Sequence, residues 1–324
     1  MWPWPAVSDL NRDGKGEVVI GDDQGYLTCL GSEGEIVWQA QTDGAFGSGP
    51  AIGDLSGDDV PEIVIGTEAR LLCLASDGKW LWERKFADNC ESAPVLADLD
   101  GDGQIEIVVG TGRLESRLYA LDGVTGEVEW SFDTDASVDS AIAAVDLNKD
   151  GAPEVVFGDD KAVLRCLTAQ GEEMWRFQFE GSPAGGPRLP AAPVIGDADG
   201  DGQPEIIAAA HDGLEIIVLG ADGTVEARHE LPSGSNGSPL LLPTKDGKTL
   251  IVATTYRAKQ VMAFTLGGAW KDADILWPCM RLNSEMTGYV RPPLVSPREF
   301  SAPSANVQPA PLEANLVGEP HVGW

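Results

Sequence analysis

Residues 94–110 read Pro94-Val95-Leu96-Ala97-Asp98-Leu99-Asp100-Gly101-Asp102-Gly103-Gln104-Ile105-Glu106-Ile107-Val108-Val109-Gly110, and the fold turns on this stretch. A short apolar run enters an acidic glycine turn and leaves as a β-branched run closed by glycine. That is the pattern of a tight β-hairpin; the runs are too short for helices. The same segment is written around Asp9, Asp54, Asp146 and Asp197, at intervals of 44 to 51 residues, and an eroded sixth copy begins at Pro239-Leu240-Leu241-Leu242.

Outward from this hairpin, each copy continues with a turn, a run ending in Leu, a Gly turn and a run carrying Trp. In the third copy four short strands are predicted at 93–98, 105–110, 117–121 and 127–132, with turns at Gly101-Asp102-Gly103 and Gly123-Val124-Thr125-Gly126. One small four-stranded sheet cannot bury both its faces, so successive sheets must stack on each other. Radial stacking with a period in the 40s predicts an all-β fold, a six-bladed β-propeller of four-stranded blades with calcium-binding hairpin loops in five of them. The propeller is assigned to 1–289. Residues 290–324, broken by Pro292, Pro293, Pro297, Pro303, Pro309, Pro311 and Pro320, form a Pro-rich C-terminal tail.

Trp38, Trp82, Trp130 and Trp175 fall late in the outer strand, and Ala227 takes that place in the fifth copy. Ring-on-ring packing between blades is the expected role of these aromatics. Cys29, Cys73 and Cys166 share another repeat position, each followed by Leu. They read as small buried strand residues, and five cysteines, an odd number, make a disulfide framework a poor reading.

Each of the five good copies spells Asp-x-[Asp/Asn/Ser]-x-Asp-x-x-x-Glu. Oxygen ligands would be Asp9, Asn11, Asp13 and Glu17; Asp54, Ser56, Asp58 and Glu62; Asp98, Asp100, Asp102 and Glu106; Asp146, Asn148, Asp150 and Glu154; Asp197, Asp199, Asp201 and Glu205. A backbone carbonyl at position 7, from Lys15, Val60, Gln104, Ala152 and Gln203, would add a further oxygen. Such convergence suits a hard cation taking six to eight oxygens, so up to five Ca2+ ions are expected. Gly14, Gly103, Gly151 and Gly202 allow the sharp turn at position 6, whereas the second loop has Asp59 there and Ser56 as a poorer ligand, and should bind weakest. An EF-hand would close with Glu at position 12 between helices; these loops close at position 9 and run into strands. Magnesium, with its stricter octahedral demand, is the lesser candidate, and His211, His229 and His321 share no zinc spacing with cysteine.

The chain has 324 residues, with 52 Asp and Glu against 22 Lys and Arg and a formal charge of −30. Phosphate neutralisation needs a basic face, so no nucleic-acid partner is expected. No run approaches the roughly 18 to 20 apolar residues of a membrane helix, and no signal segment opens the sequence.

Residues 94–110 resemble the FG-GAP and VCBS repeats of integrin-α-type propellers. The outer half of the copy, Leu118-Tyr119-Ala120-Leu121-Asp122 through Thr125-Gly126-Glu127-Val128-Glu129-Trp130, is similar to the repeats of quinoprotein-like propellers, and Trp277-Pro278-Cys279-Met280-Arg281 through Thr287-Gly288 also looks like a segment found beside bacterial propellers. The resemblance covers residues 5 to about 266 and implies calcium on the bottom face with partners on the opposite one. The expected function is a calcium-binding recognition or adhesion module with a glycan or protein ligand on the top face, and it is expected to be extracellular, periplasmic or at the cell surface because loops of this class suit millimolar calcium. The resemblance does not single out one activity, because the fold hosts many.

Top-face turns carry non-repeating residues: Asp22 and Asp23; Glu68 and Arg70; Arg113, Glu115 and Arg117; Asp159, Asp160 and Lys161; His211 and Asp212; Tyr256, Arg257 and Lys259. The long connection 180–192, with Arg188 inside it, belongs to the same face. A second reading is a polysaccharide lyase or other carbohydrate-active enzyme. Its general base would be His211 or Tyr256, and Arg257 or Arg113 would neutralise a uronate carboxylate. Neither a Ser-His-Asp pattern nor a phosphate-cradling loop is present, and no quinone-binding set accompanies the scaffold likeness.

Overall fold

The repeated apolar runs become short antiparallel strands in a computed structural model that describes residues 4–42, 44–90, 92–179, 191–211, 213–235, 237–271 and 275–277. The chain divides into two units, Met1–Pro292 and Pro293–Trp324, and all the described residues belong to the first. The connection 180–190 with Arg188, Asp212, the segment 278–288 and the Pro-rich tail lie outside the described residues.

Blade 1 holds β1 (Ala6–Ser8), β2 (Glu17–Gly21), β3 (Tyr26–Leu30) and β4 (Ile36–Gln41). Blade 2 holds β5 (Ala51–Gly53), β6 (Glu62–Gly66), β7 (Arg70–Leu74) and β8 (Trp80–Lys85). Blade 3 holds β9 (Val95–Ala97), β10 (Glu106–Gly110), β11 (Arg117–Asp122) and β12 (Val128–Asp133). Blade 4 holds β13 (Ala143–Val145), β14 (Glu154–Gly158), β15 (Val163–Leu167) and β16 (Glu173–Gln178). Blade 5 holds β17 (Val194–Gly196), β18 (Glu205–Ala209), β19 (Glu215–Leu219) and β20 (Val225–Glu230). Blade 6 holds β21 (Leu240–Pro243), β22 (Thr249–Thr254) and β23 (Val261–Phe264), and β24 (Ile275–Trp277) follows. Each sheet is an antiparallel meander in chain order, six sheets in all among the described residues.

The sixth sheet departs from the expected four strands. After β23 two glycines, Gly267 and Gly268, and Ala269-Trp270 replace the alternating run, and a single bridge from Ala269 to Lys248 stands where a fourth strand was expected. Strand β24 pairs instead with β17, Ile195 opposite Trp277, and becomes a fifth, innermost strand of blade 5. Trp277 is fully buried there, in the apolar cluster that joins blades 3, 4 and 5.

Packing explains the composition of the second strands. In blades 2 to 5 these strands are buried at every residue, because a neighbouring sheet covers each face. In blades 1 and 6, β2 and β22 alternate between buried and half-exposed positions. Apolar clusters join blades 1 and 2, blades 2 and 3, blades 3 to 5, and blades 5 and 6.

The tryptophans do not stack on one another. Each lies on the third-turn glycine of the following blade and donates its indole N–H to a backbone carbonyl beside it: Trp38 to Ser76 at 2.9 Å, Trp82 to Gly123 at 3.2 Å, Trp130 to Ala169 at 2.8 Å and Trp175 to Ala221 at 2.9 Å. A β-carbon added at Gly78, Gly126, Gly171 or Gly223 would strike the indole at 2.6–2.7 Å, so a side chain there would displace it. The expected ring-on-ring contact is therefore corrected to ring on backbone. The absent Cβ of glycine lets the flat indole approach, and its N–H gains a partner that another ring could not supply.

Between the third and fourth strands of blades 1 to 5 the register slips by one residue. Cys29 faces Trp38 while Leu30 faces Ile36, leaving Val37 unpaired, and the same slip leaves out Leu81, Glu129, Met174 and Glu226. Such a bulge re-aims the extra side chain out of the alternation.

The four described cysteines, Cys29, Cys73, Cys90 and Cys166, are buried and free. Burial pushes the Cys29 thiol up to about 11 and those of Cys73, Cys90 and Cys166 higher still, so these are packing residues. Blade 4 alone puts a charge in the third strand between layers. Arg165, 2% exposed, pairs through Nη1 with fully buried Asp159, with Glu173 at 3.4 Å and Asp135 at 3.7 Å.

Candidate metal centre

Every acidic loop joins the first and second strands of its blade, so all five lie at one end of the strands. The loop is wound around its first aspartate. Asp9 accepts the amides of Asp13 and Gly14 at 3.1 and 2.9 Å, Asp146 accepts the same two positions from its loop, and Asp54, Asp98 and Asp197 accept the amides of positions 4 and 6. The aspartate at position 5 accepts the amide of position 7, as Asp13 does from Lys15, Asp58 from Val60, Asp102 from Gln104, Asp150 from Ala152 and Asp201 from Gln203. These local bonds compete with regular strand geometry and hold the loop open in a fixed shape.

The closing glutamate is the buried member. Glu17, Glu62, Glu106, Glu154 and Glu205 are at most 8% exposed. Each accepts the amide of position 2: Leu10, Leu55, Leu99, Leu147 and Ala198, at 2.6 to 2.9 Å. At position 6 the backbone is left-handed in all five loops, with Asp59 at φ 67° where the others have glycine. At position 4 it is left-handed too, and there Arg12 and Lys149 stand in two loops, at 62° and 64°. A non-glycine residue held in that region is strained, and here the surrounding hydrogen bonds impose it.

The loops are not equal. In the fifth, carboxylate oxygens of Asp197, Asp199, Asp201 and Glu205 lie within 4.8 Å of one another, and in the third those of Asp98, Asp100 and Glu106 do. These are the two such groups among the described residues. The other loops carry Asn11, Ser56 and Asn148 at position 3, where a neutral side chain replaces one carboxylate. Asn11 and Asn148 donate to the closing glutamate at 3.2 and 2.7 Å.

The same two blades carry an acid that the loop motif does not contain. The bulged residue is Glu129 in blade 3 and Glu226 in blade 5, where blades 1, 2 and 4 have Val37, Leu81 and Met174. Burial, then Asp100, Asp122 and Asp102, raise the Glu129 carboxyl; burial, then Asp199, Asp201 and Asp222, raise that of Glu226. Their signal in the sequence was a charge at an otherwise apolar repeat position, in the two copies with three loop aspartates.

Burial, with Glu129, Asp100 and Asp98 nearby, pushes Glu106 up to about 8, against the Leu99 amide that lowers it. Burial, Asp199 and Glu226 push Glu205 up to about 7 against the Ala198 and Asp199 amides. Glu62 and Glu154 are raised as well, chiefly by burial. A buried glutamate whose carboxyl is raised by burial and by the acids around it sits in a site short of positive charge, and a bound divalent cation is what such a donor set fits. In the folded, metal-free chain Glu106 and Glu205 hold protons that the unfolded chain has lost above the ordinary carboxylate value of 4.5. Folded stability in chelator should therefore fall as pH rises from about 5 to about 8. Urea midpoints across that window check this, and a rising midpoint would contradict it.

The opposite end carries the second-to-third-strand turns. Most of the non-repeating residues noted there are engaged in holding turns and blades together. Asp22 accepts the amides of Gln24 and Tyr26, Glu115 accepts from Ala87 and from the Tyr119 hydroxyl, and Arg70 and Arg117 pair with Glu83 and Asp133. Arg113 pairs with Asp160 of the next blade at 2.7 Å. Arg113 stands on blade 3, and His211, Tyr256 and Arg257 stand on blades 5 and 6. His211 and Tyr256 do meet, ring centroids 5.7 Å apart, and with Leu214, Ser233 and Arg257 they line a cavity of about 360 Å³.

Known structures share this architecture. The V. cholerae biofilm matrix protein Bap1 is 23% identical with a TM-score of 0.57, over 74% of this chain and 41% of that one. The quinohemoprotein alcohol dehydrogenase ADHIIG of Pseudomonas putida HK5 is 14% identical with a TM-score of 0.58, over 81% of this chain and 53% of that one. The Dos1 propeller is 15% identical with a TM-score of 0.58, over 82% and 67%. This chain spans less than two thirds of the length of Bap1 and of the dehydrogenase, and likeness at these identities shows the β-propeller fold alone. No curated protein matches the sequence significantly. Residues 23–267 match the family model PQQ_2, described as outer membrane protein assembly factor BamB, and the chain belongs to that family of quinoprotein-like propeller repeats.

Proposed function

We propose that the chain is a calcium-binding recognition module working in the periplasm or outside the cell, with a glycan or protein ligand on the end opposite the acidic loops. The observation that carries this reading is the pair of carboxylate clusters in blades 3 and 5, each with a buried closing glutamate and an added bulge glutamate. Oxygen-only donors that converge from a flexible loop favour calcium over magnesium or zinc. Asp98, Asp100, Asp102 and Glu106, and Asp197, Asp199, Asp201 and Glu205, would hold the ion, which neutralises their charge and fixes the hairpin. The likeness of residues 94–110 to FG-GAP and VCBS repeats agrees with this. Millimolar calcium, which loops of this class need, is available outside the cytoplasm. The family is that of an outer membrane protein assembly factor and Bap1 is a biofilm matrix protein, which supports the same placement. Among the described residues no helix is long and apolar enough to cross a membrane.

Calorimetric titration with calcium tests the metal, and retention on neutral and acidic polysaccharides, with calcium and with chelator, tests the ligand. At least two calcium equivalents should bind, and Asp98→Asn with Asp197→Asn should remove them; no heat of binding at millimolar calcium rejects the reading. The cavity beside His211 and Tyr256 favours carbohydrate chemistry as a second reading. New ultraviolet absorbance during retention, lost in Tyr256→Phe, would mark an unsaturated sugar product and a lyase.

A further inference from the structure

In each of blades 1 to 5 one residue of the fourth strand has no place in the ladder, so the sheet does not dictate its type. Blades 1, 2 and 4 fill the place with Val37, Leu81 and Met174, and blades 3 and 5 with Glu129 and Glu226. Blades 3 and 5 are also the two whose loops carry aspartate at positions 1, 3 and 5 and gather carboxylate oxygens within 4.8 Å of one another. The added acid and the gathered loop therefore occur together, blade by blade.

The fold sets each added acid close to the closing glutamate of its loop. In blade 5 a Glu226 carboxylate oxygen lies so near Gly220 that a β-carbon there would meet it at 2.5 Å. Gly220 follows Leu219, whose ladder partner Ile206 is the residue next to Glu205. Beyond burial, Asp199 and Glu226 raise the Glu205 carboxyl, and Asp199, Asp201 and Asp222 raise that of Glu226. In blade 3 Asp122 stands directly across the ladder from Glu106. Beyond burial, Asp100, Asp122 and Asp102 raise the Glu129 carboxyl, and Glu129 leads the acids that raise Glu106. Among the described residues no cation offsets either added acid. Neither belongs to the gathered groups themselves. A carboxylate placed beside other carboxylates without a counterion raises the energy of the empty loop and lowers that of a loop holding a cation.

We infer that Glu129 and Glu226 set the affinity of the blade 3 and blade 5 loops for a divalent cation, acting by charge from outside the ring of direct ligands. The inference rests on the calcium reading of those loops. Ligand charge is a main lever on calcium affinity, and here it is raised without changing the four oxygen positions of the loop. Both glutamates are exposed, so water and salt screen them and their effect is severalfold.

Calorimetric calcium titration of the full chain tests this one blade at a time. With Asp98→Asn silencing the blade 3 loop, adding Glu226→Gln should weaken the tightest remaining site about three- to tenfold at about 50 mM salt. With Asp197→Asn silencing the blade 5 loop, Glu129→Gln should do the same at blade 3. In both cases the gap between variant and parent should narrow at about 0.5 M salt, because a charge outside the ligand ring acts through a field that salt screens. Circular dichroism in chelator confirms that each variant is folded. A glutamine variant that binds calcium as tightly as its parent overturns the inference and leaves the calcium reading standing. So does a loss that salt leaves unchanged, which would mark a direct ligand or a structural role. A wild-type chain that binds no calcium overturns both.

Discussion

Moving the chain from about 10 mM calcium into chelator is expected to lower its thermal midpoint by about 10 to 20 °C. An ion held near 0.1 mM, at the tight end for extracellular modules, stabilises the folded state by about 2.7 kcal/mol when present at a hundredfold excess. Blade 5 brings its four loop carboxylates together and blade 3 brings together Asp98, Asp100 and Glu106, so two such sites contribute about 5 kcal/mol, and a domain of this size shifts by about 2 to 4 °C per kcal/mol. The effect should divide by blade. Asp98→Asn and Asp197→Asn should each remove about half of it. Asp54→Asn should remove little, since its loop carries Ser56 at position 3 and the strained Asp59 at position 6. A midpoint indifferent to chelation would sink the structural role of calcium, whatever ligand the opposite end binds.

Arg165→Met should destabilise the chain by about 3 to 5 kcal/mol, measured as a loss in the urea-unfolding free energy. The methionine replaces most of the volume, so the loss comes from charge. Asp159 has no solvent exposure, and without the guanidinium its carboxylate keeps only the amides of Lys161 and Val163. An isolated buried charge costs far more than a buried pair gains, which is why removing one partner is worse than never having had either. The double variant Arg165→Met with Asp159→Asn should recover most of the loss. A single-variant cost below about 1 kcal/mol would mean that water reaches Asp159 and that the pair behaves as a surface ion pair.

The fold was readable because it is written repeatedly: one hairpin says little, but five copies at a steady interval allow only a stack of like sheets. Tryptophan positions, buried cysteines and acidic loops followed from the same alignment of copies. Other features escaped because they belong to no single copy. Nothing near Ile275-Leu276-Trp277 announces that it will pair with Val194-Ile195-Gly196, some 80 residues earlier, since that pairing depends on where blade 6 stops. The indole-on-glycine contact joins residues about 40 apart on different blades, and only the assembled stack brings them together. Glu129 and Glu226 read as surface charges on an outer strand until the assembled blade sets them within electrostatic reach of the loop aspartates. At the far end, residue type was a poor guide: Arg113 resembles a ligand-binding arginine in the sequence and serves as an inter-blade tie.

The register slip also separates two problems that most sites solve together. The residue it leaves out has no ladder partner on the third strand, so the strand register does not depend on its identity. Valine, leucine, methionine and glutamate all occur there in this one chain. On the proposed calcium reading, one substitution at this place changes the acid count beside a single loop while the register that carries it stays as it is.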